Sequence, residues 1–244
     1  MTALHEINKY KRRFQEKMNA VMNIEQARFN MVEQQIRTWG VLDPQILDLL
    51  HAVRREEFVP PAYRLLAFSD LEIPLVPQAE ACETMWAPKF EARILQELEV
   101  KKSESVLEIG TGSGYFAALL AHQADRVHTV EINPKLVALG QENLRRAGIG
   151  NAVVEQGDGS RGWNAKAPYD VIVVTSSLPV VGADLLAQLR PGGRLFAVVG
   201  DPPVMAARLI TASADGSGSH VHRDLFETCL AQLKNAPQPE RFHF

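Results

Sequence analysis

An apolar run that leads directly into a glycine-rich turn most constrains the fold of this chain. Residues 106–114 read Val-Leu-Glu-Ile-Gly-Thr-Gly-Ser-Gly, and the next apolar run ends at Glu131. Such a run, turn and helix expose main-chain N–H groups at a helix N-terminus, where a polar ligand can approach closely. A carboxylate at the end of the following strand can accept hydrogen bonds from both hydroxyls of a ribose. The pattern therefore predicts an α/β fold that binds a nucleoside-containing ligand.

Strand and helix patterns alternate from Ser105 onward, which is typical of right-handed β-α-β units and a parallel sheet. The predicted strands are Ser105–Ile109, Arg126–Glu131, Ala152–Gln156, Val171–Thr175 and Arg194–Val199. Helices are predicted to begin near Tyr115, Pro134 and Val181. Two later apolar runs, 206–212 and 221–230, predict a terminal hairpin across a turn rich in Gly and Ser.

The first hundred residues favour helices. Apolar side chains recur at helical spacing over residues 4–20, opposite a basic face, which indicates a solvated cap helix, a leader or a basic docking helix. Further helical patterns run from Asn23 to near Trp39, over 45–53 and from Pro88, and an irregular connection fills 62–87. The predicted organisation is an N-terminal helical extension over 1–22, a helical cap over 23–100 and a ligand-binding α/β domain over 101–244, compact with the cap.

Composition limits the partners of the chain. The net charge is −3, from 26 Lys and Arg against 29 Asp and Glu, so no global basic field favours nucleic acid or an anionic membrane. Two cysteines, Cys82 and Cys229, are too few for a disulfide framework, and no His/Cys/Asp grouping has metal-ligand spacing. No apolar stretch approaches the roughly 20 residues of a membrane span. These features predict a cytoplasmic protein without a metal and leave its oligomeric state open.

The spacing of the glycines helps to distinguish between two kinds of nucleoside-containing ligand. Gly110, Gly112 and Gly114 follow Gly-x-Gly-x-Gly, whereas a dinucleotide fold uses Gly-x-Gly-x-x-Gly or Ala. Counted from Gly112, the residues up to Ala117 also fit Gly-x-Gly-x-x-Ala, so a dinucleotide remains an alternative ligand. Glu108, two residues before the first glycine, would repel a pyrophosphate but can orient the turn or face the cationic end of S-adenosylmethionine. The pattern therefore favours S-adenosylmethionine over a dinucleotide, and a turn without a ligand is the plainer alternative.

A third acidic position follows the third strand. Asp158, in Gln156-Gly157-Asp158-Gly159, can accept a hydrogen bond from an adenine amino group, although Gly-Asp-Gly is also ordinary turn chemistry. The order of these motifs favours a methyltransferase. The predicted cofactor-binding residues are Glu108, Ile109, Gly110, Thr111, Gly112, Gly114, Glu131, Ile132, Asp158 and Gly159.

Segments on both sides of the turn carry a specific resemblance. They include Gln35-Ile36-Arg37, Arg54-Arg55-Glu56-Glu57-Phe58-Val59-Pro60, Val106–Tyr115, Gly162-Trp163 and Gly192-Gly193-Arg194-Leu195. With them the chain resembles protein-L-isoaspartate O-methyltransferases over about residues 30–200. The resemblance implies a Rossmann-like class I methyltransferase, with a mostly parallel seven-stranded sheet, helices on both faces and an N-terminal helical segment. It also implies S-adenosyl-L-methionine as methyl donor and L-isoaspartyl residues of damaged proteins or peptides as acceptor, which is protein repair.

The acceptor segment departs from that family. Its members typically carry Gln-Thr-Ile-Ser-Gln-Pro with an active-site serine, and this chain reads Glu83-Thr84-Met85-Trp86-Ala87-Pro88. Trp86 in the serine position removes a hydroxyl and fills space, although a buried Trp can equally be core packing. This departure keeps open an S-adenosylmethionine-binding homologue without isoaspartyl activity, acting as a regulatory or interaction module or on a small molecule or RNA. A dehydrogenase is a more distant alternative.

Methyl transfer to a carboxylate needs alignment rather than a general base, because the carboxylate is already ionised near neutral pH. Hydroxyls near the lost serine are therefore the candidates for positioning the acceptor. Thr84 lies in the acceptor segment, and Thr175-Ser176-Ser177 ends the fourth strand, where the family usually has Thr followed by small apolar residues. We expect Thr84, Thr175 and Ser176 to act on the acceptor side.

Overall fold

The computed structural model describes residues 23–239. The basic helical pattern over 4–20 and the predicted N-terminal extension lie outside these residues. The helices are α1 over 23–30, α2 Pro44–Ala52, α3 Pro88–Leu98, α4 Tyr115–Gln123, α5 Pro134–Arg146 and α6 Ala183–Leu186. The strands are β1 Ile73–Pro74, β2 Thr84–Met85, β3 Ser105–Ile109, β4 Arg126–Glu131, β5 Ala152–Gln156, β6 Tyr169–Leu178, β7 Leu189–Asp201, β8 Val204–Ala212 and β9 His220–Glu227.

Seven strands form one sheet in the order β5-β4-β3-β6-β7-β8-β9. The five strands β5, β4, β3, β6 and β7 are parallel to one another. Strand β8 is antiparallel to β7, and β9 is antiparallel to β8. This confirms the mostly parallel seven-stranded sheet. From β3 the chain runs first toward β4 and β5, then crosses to β6 on the other side. Such a switch in strand order opens a crevice at the carboxyl ends of the strands, where open α/β sheets bind ligands.

Two helices begin as their sequences predict. The side chains of Asp43 and Asn133 accept hydrogen bonds from main-chain N–H groups at 2.8 and 2.9 Å, and a proline follows each as the first helical residue. The stretch after α1 departs from regular α-helix. It continues as a π-helix over Met31–Ile36 and a 3-10 helix over Arg37–Trp39, and Gly40 ends it with φ +82°.

Several predicted bounds are wrong. Strand β6 extends past both ends of Val171–Thr175, and β7 begins at Leu189 rather than at Arg194, with residues 190–193 in an irregular part of its pairing with β6. The helix predicted near Val181 is reduced to Ala183–Leu186. Hydrogen bonds to neighbouring strands extend β6 and β7 beyond their apolar runs. A local sequence pattern does not predict such pairing.

Hydrophobic side chains pack on both faces of the sheet. The larger cluster joins residues of the π-helix after α1 and of α2 to α5 with one face, and its members range from Met31 to Leu230. The other face packs against α6, through Leu185, and against the chain after β9, through Ala236. Residues 23–100 therefore share a core with the α/β part, while the boundary at residue 100 stays a prediction. Among the described residues, no helix combines the length and apolarity that crossing a membrane requires.

The chain after β9 returns along the carboxyl end of β6. We name residues 230–236 the strap. Ser177 N donates to Ala231 O, and Leu233 N donates to Ser177 O, each at 2.9 Å. The Ser177 hydroxyl adds a third hydrogen bond, to Leu230 O, at 2.9 Å. These contacts hold the strap beside the crevice.

Candidate active site

A cleft opens at the carboxyl ends of β3, β4, β5 and β6. Every residue predicted for the site lines this cleft except Gly114. The predicted residues that line it are Thr84, Glu108, Ile109, Gly110, Thr111, Gly112, Glu131, Ile132, Asp158, Gly159, Thr175 and Ser176. The structure therefore brings together the ends of four strands, β3, β4, β5 and β6, and the short strand β2, which the chain separates by up to about ninety residues.

Two glycines of the turn are required by their surroundings. Gly110 has φ +98°, and a Cβ there would lie 2.1 Å from Thr175 Oγ1. Gly114 has φ +79° and precedes α4, where a Cβ would lie 3.1 Å from the main-chain oxygen of Gly140. Gly114 thus serves the packing of α4 against α5 rather than the cleft wall. The turn comes close to both neighbours because its glycines lack side chains.

Glu131 fixes the shape of the turn. Its Oε2 accepts from Gly112 N at 3.0 Å, and its Oε1 accepts from Asn133 N at 2.9 Å. Only 6% of the residue is exposed. An ionised carboxylate has about four acceptor positions, so each oxygen keeps capacity for one further donor. The arrangement suits two neighbouring hydroxyls.

Glu108 holds a buried carboxylate oxygen that lacks a partner. Its Oε2 accepts from Thr129 Oγ1 at 2.5 Å, whereas Oε1 has no hydrogen-bond partner within residues 23–239. Burial raises the pKa of Glu108 to about 8; the Thr129 hydrogen bond opposes this, and the charges of Glu131 and Glu91 add to it. A buried unpaired oxygen is costly unless a ligand donor completes it. An ammonium group would do so.

Asp158 connects the loop after β5 to the strap. Its Oδ1 accepts from Ser160 N and its Oδ2 from Asn235 Nδ2, each at 2.9 Å. Burial raises the pKa of Asp158, but the hydrogen bonds from Ser160 and Asn235 outweigh it and hold the pKa below its usual range. The carboxylate is therefore ionised at neutral pH and oriented at the cleft.

The three candidate hydroxyls have different partners. Thr175 Oγ1 donates toward the main-chain oxygens of Ile109 and Gly110, at 2.8 and 3.0 Å. Thr84 Oγ1 donates to Glu72 Oε2 at 2.9 Å. Ser176 Oγ makes no hydrogen bond within the described part of the chain, and the residue is buried. Thr175 therefore supports the glycine turn, and Thr84 is tied to a neighbouring carboxylate.

Trp86 is a packing residue that also borders the cleft. It is 6% exposed, and its ring makes edge-to-face contacts with Phe90, Phe116 and Phe196 at centroid distances of 4.8, 5.6 and 6.5 Å. Its main-chain oxygen accepts a hydrogen bond from the guanidinium of the fully buried Arg55. Of the two interpretations left open by the sequence, these contacts favour core packing.

Sequence reasoning missed several residues around the cleft. Glu83 accepts from Asn133 Nδ2 at 2.7 Å and lies 3.6 Å from the ammonium of Lys234. Glu91, buried on α3, lines the cleft and pairs with Arg55. These partners come from distant segments and match no local pattern, so no signal in a single sequence could have found them.

The charges around the cleft favour a cationic ligand. The lining includes the carboxylates of Glu83, Glu91, Glu108, Glu131 and Asp158, and Lys234 is its basic side chain within the described residues. A pyrophosphate would meet repulsion from these groups, whereas a ligand with an ammonium and a sulfonium would be attracted. Within residues 23–239, no group of three or more His, Cys, Asp or Glu side chains is arranged to hold a metal ion.

Comparisons with known proteins agree with this geometry. The model of the family described as protein-L-isoaspartate(D-aspartate) O-methyltransferase matches residues 26–230. A protein-L-isoaspartate O-methyltransferase 1 of Syntrophobacter fumaroxidans is 38% identical over 196 residues, which cover 80% of this chain and 90% of the relative. A protein-L-isoaspartate O-methyltransferase of Rhodopseudomonas palustris is 43% identical over 170 residues, which cover 70% and 76% of the two chains.

Two solved structures share the fold. One, described as a protein-L-isoaspartate O-methyltransferase, has a TM-score of 0.72 and 27% identity, and the match covers 84% of this chain and 65% of that longer chain. The other, from Plasmodium falciparum, is described as a protein of the same kind in complex with S-adenosyl-L-homocysteine. It has a TM-score of 0.69 and 19% identity, with coverage of 84% and 97%.

Proposed function

The chain belongs to the protein-L-isoaspartate O-methyltransferase family, and from this premise we propose that it methylates L-isoaspartyl residues of damaged proteins or peptides with S-adenosyl-L-methionine. The observation that carries the choice of cofactor is the unpartnered buried oxygen of Glu108 beside the fixed carboxylate of Glu131, and family membership carries the choice of acceptor. One suits the ammonium of the cofactor and the other suits its ribose. Both line the same cleft.

Different residues of the cleft would bind different parts of the cofactor. Glu131 accepts from the two ribose hydroxyls, Glu108 from the ammonium and Asp158 from the adenine amino group. The main chain of the turn from Gly110 to Gly112 faces the methionine portion. When bound, S-adenosyl-L-methionine supplies an electrophilic methyl group on a sulfonium centre.

The acceptor side aligns a nucleophile that needs no activation. A carboxylate oxygen forms a bond to the methyl carbon as the carbon–sulfur bond breaks, and no proton is transferred. The cationic donor and anionic acceptor become a neutral thioether and a neutral ester, so their charges vanish together in the reaction. A cleft that excludes water and holds the two groups in line favours this step. Thr84 and Ser176 provide hydroxyls beside that step, and Thr175 supports the turn that holds the donor.

A second function is favoured by Trp86. Its indole fills part of the wall between the acceptor segment and α4. The serine that is typical of the family would leave more space there and would provide a hydroxyl. The alternative is therefore a cofactor-binding homologue that methylates another acceptor, a small molecule or RNA, or that acts as a regulatory module. It requires the same donor site and differs only in the acceptor.

One experiment tests the proposal against this alternative. The protein is incubated with methyl-labelled S-adenosylmethionine and an isoaspartyl peptide, beside the matching aspartyl peptide. We expect base-labile label in the isoaspartyl peptide alone. Cofactor binding without transfer would favour the alternative, and failure to bind cofactor would overturn the donor site itself.

The proposal includes a cytoplasmic location. The two cysteines, Cys82 and Cys229, are free thiols in the structure, which supports a reducing compartment.

A further inference from the structure

We propose that the hydroxyl of Ser176 positions the acceptor carboxylate in this chain, in a site where Trp86 offers no hydroxyl. The proposal rests on the proposed function. Ser176 differs from the other hydroxyls of the cleft in its place on a bulge of β6 and in having no hydrogen-bond partner within residues 23–239, and the charge of the cleft favours a neutral donor.

A bulge in β6 brings Ser176 to the cleft. Val173 pairs with Phe196 of β7 and Ser177 pairs with Val198, so residues 174–176 oppose the single residue Ala197. Consecutive residues of a regular strand point to opposite faces of a sheet. In the bulge, Thr175 and Ser176 both line the cleft. Bulges next to active sites commonly redirect side chains in this way.

The bulge also lies where β6 extends past its neighbour. The last pair between β3 and β6 joins Ile109 to Val174, so Thr175 and Ser176 lie beyond the end of β3. Thr175 then holds the first residues of the glycine turn, and Ser177 holds the strap. Ser176 therefore lies in the chain between the residue that contacts the glycine turn and the residue that holds the strap, and it lines the cleft between them.

Ser176 differs from the other hydroxyls that line the cleft because its own hydroxyl has no hydrogen-bond partner within the described residues. Thr84 donates to Glu72, and Thr175 donates toward the main chain of the turn. Thr111 shares a hydrogen bond of 2.6 Å with Thr129, and the Ser113 oxygen accepts from Tyr115 N at 3.3 Å. Within residues 23–239, Ser176 is the lining hydroxyl that makes no hydrogen bond.

A neutral donor is what the acceptor requires in this cleft. Within residues 23–239 the lining carries more acidic than basic side chains, so an incoming carboxylate meets more negative than positive charge even where Glu108 keeps its proton. A serine hydroxyl donates one hydrogen bond and keeps its proton, so it fixes one carboxylate oxygen while the other stays ionised and free to attack. Hydrogen bonds to charged groups contribute enough that losing one lowers kcat/KM about ten- to a hundredfold.

The test compares Ser176→Ala with variants that keep or displace the hydroxyl. For Ser176→Ala we expect kcat/KM for an isoaspartyl peptide to fall about ten- to a hundredfold, through a higher KM and a lower kcat, while the Kd for S-adenosylhomocysteine is unchanged. Ser176→Thr, which keeps the donor, should retain most of the activity. Thr84→Ala should lower kcat/KM less than Ser176→Ala, because Thr84 is already bonded to Glu72.

Ser105→Ala is the control for removing a serine hydroxyl away from the cleft, because Ser105 lies at the opposite end of the sheet. Its kcat/KM and its Kd for S-adenosylhomocysteine should match those of the parent. Equal activity of Ser176→Ala and the parent overturns the assignment to Ser176 alone, and so does a larger loss in Thr84→Ala. A parent protein that binds S-adenosylhomocysteine but methylates no isoaspartyl peptide overturns the proposed function and the Ser176 assignment together. A changed melting temperature together with a weaker Kd in Ser176→Ala would show a structural role and also overturns the assignment.

Discussion

Thr175 and Gly110 are in direct contact across the carboxyl ends of β6 and β3. Thr175 Oγ1 lies 3.0 Å from Gly110 O, and a Cβ added to Gly110 would lie 2.1 Å from that same hydroxyl oxygen. The contact sets the path of the glycine turn from the neighbouring strand. It explains why the first glycine cannot carry a side chain, whatever ligand the turn binds.

Gly110→Ala should therefore abolish tight cofactor binding. The new methyl group would displace either the turn or the Thr175 hydroxyl, and φ +98° is strained for alanine. We expect the Kd for S-adenosylhomocysteine to rise at least about tenfold, measured by isothermal titration calorimetry. Gly216→Ala is the matched control, because Gly216 has φ +72° but nothing within 4 Å of a Cβ. Equal affinities of Gly110→Ala and the parent would contradict the prediction.

Cofactor affinity should rise between pH 6 and pH 7.5. Burial raises the pKa of Glu108 to about 8, so the free protein holds this proton at neutral pH, whereas an ammonium ligand binds the ionised carboxylate. Binding then releases a proton, and the affinity increases by up to about tenfold per pH unit. Calorimetry in two buffers of different ionisation enthalpy measures the released proton. The range ends below pH 8, because an α-amino group itself titrates at about that pH.

Glu108→Gln provides the control for this pH dependence. The amide has no proton to lose, so the affinity of the variant should be weaker at pH 7.5 and nearly independent of pH. The charges of Glu91 and Glu131 also face Glu108 and remain in the variant. A slope that persists in Glu108→Gln would assign the titration to a group other than Glu108.

Glu131→Gln should weaken cofactor binding more than it weakens the fold. The side-chain amide cannot accept from both Gly112 N and Asn133 N, so one N–H would face the amide NH2 group. We expect a Kd about ten- to a hundredfold higher, since a hydrogen bond to a charged group and the shape of the turn are lost together. Glu142→Gln, an exposed carboxylate on α5 paired with Arg145, should bind as the parent does.

Trp86→Ala should destabilise the protein by about 3–5 kcal/mol, because it removes a buried ring from contacts with three other aromatic rings. Trp86→Phe keeps an aromatic ring and should cost less. Urea denaturation measures the free energy of unfolding, with Leu65→Ala as control, since Leu65 is 97% exposed. If Trp86→Ala unfolds at the same urea concentration as the parent, the packing role is wrong.

The local parts of the fold could be predicted from the sequence. The bounds of β3, β4 and β5 agree with the apolar runs, because short strands flanked by turns contain nearly all of their own signal. The start of α5 agrees as well, since Asn133 and Pro134 act within one turn of the helix. The bulge in β6 could not be predicted, because it depends on pairing with β7.

The sequence by itself determined the order of strands and helices and the glycine turn, since each follows from contacts between residues close in the chain. It also placed Glu108, Glu131 and Asp158 at strand ends. Only the tertiary structure decided which hydroxyl is free, because the partners of Thr84, Thr175 and Ser177 come from other segments. The role of Trp86 was decided there too, since its packing depends on rings from α3, α4 and β7.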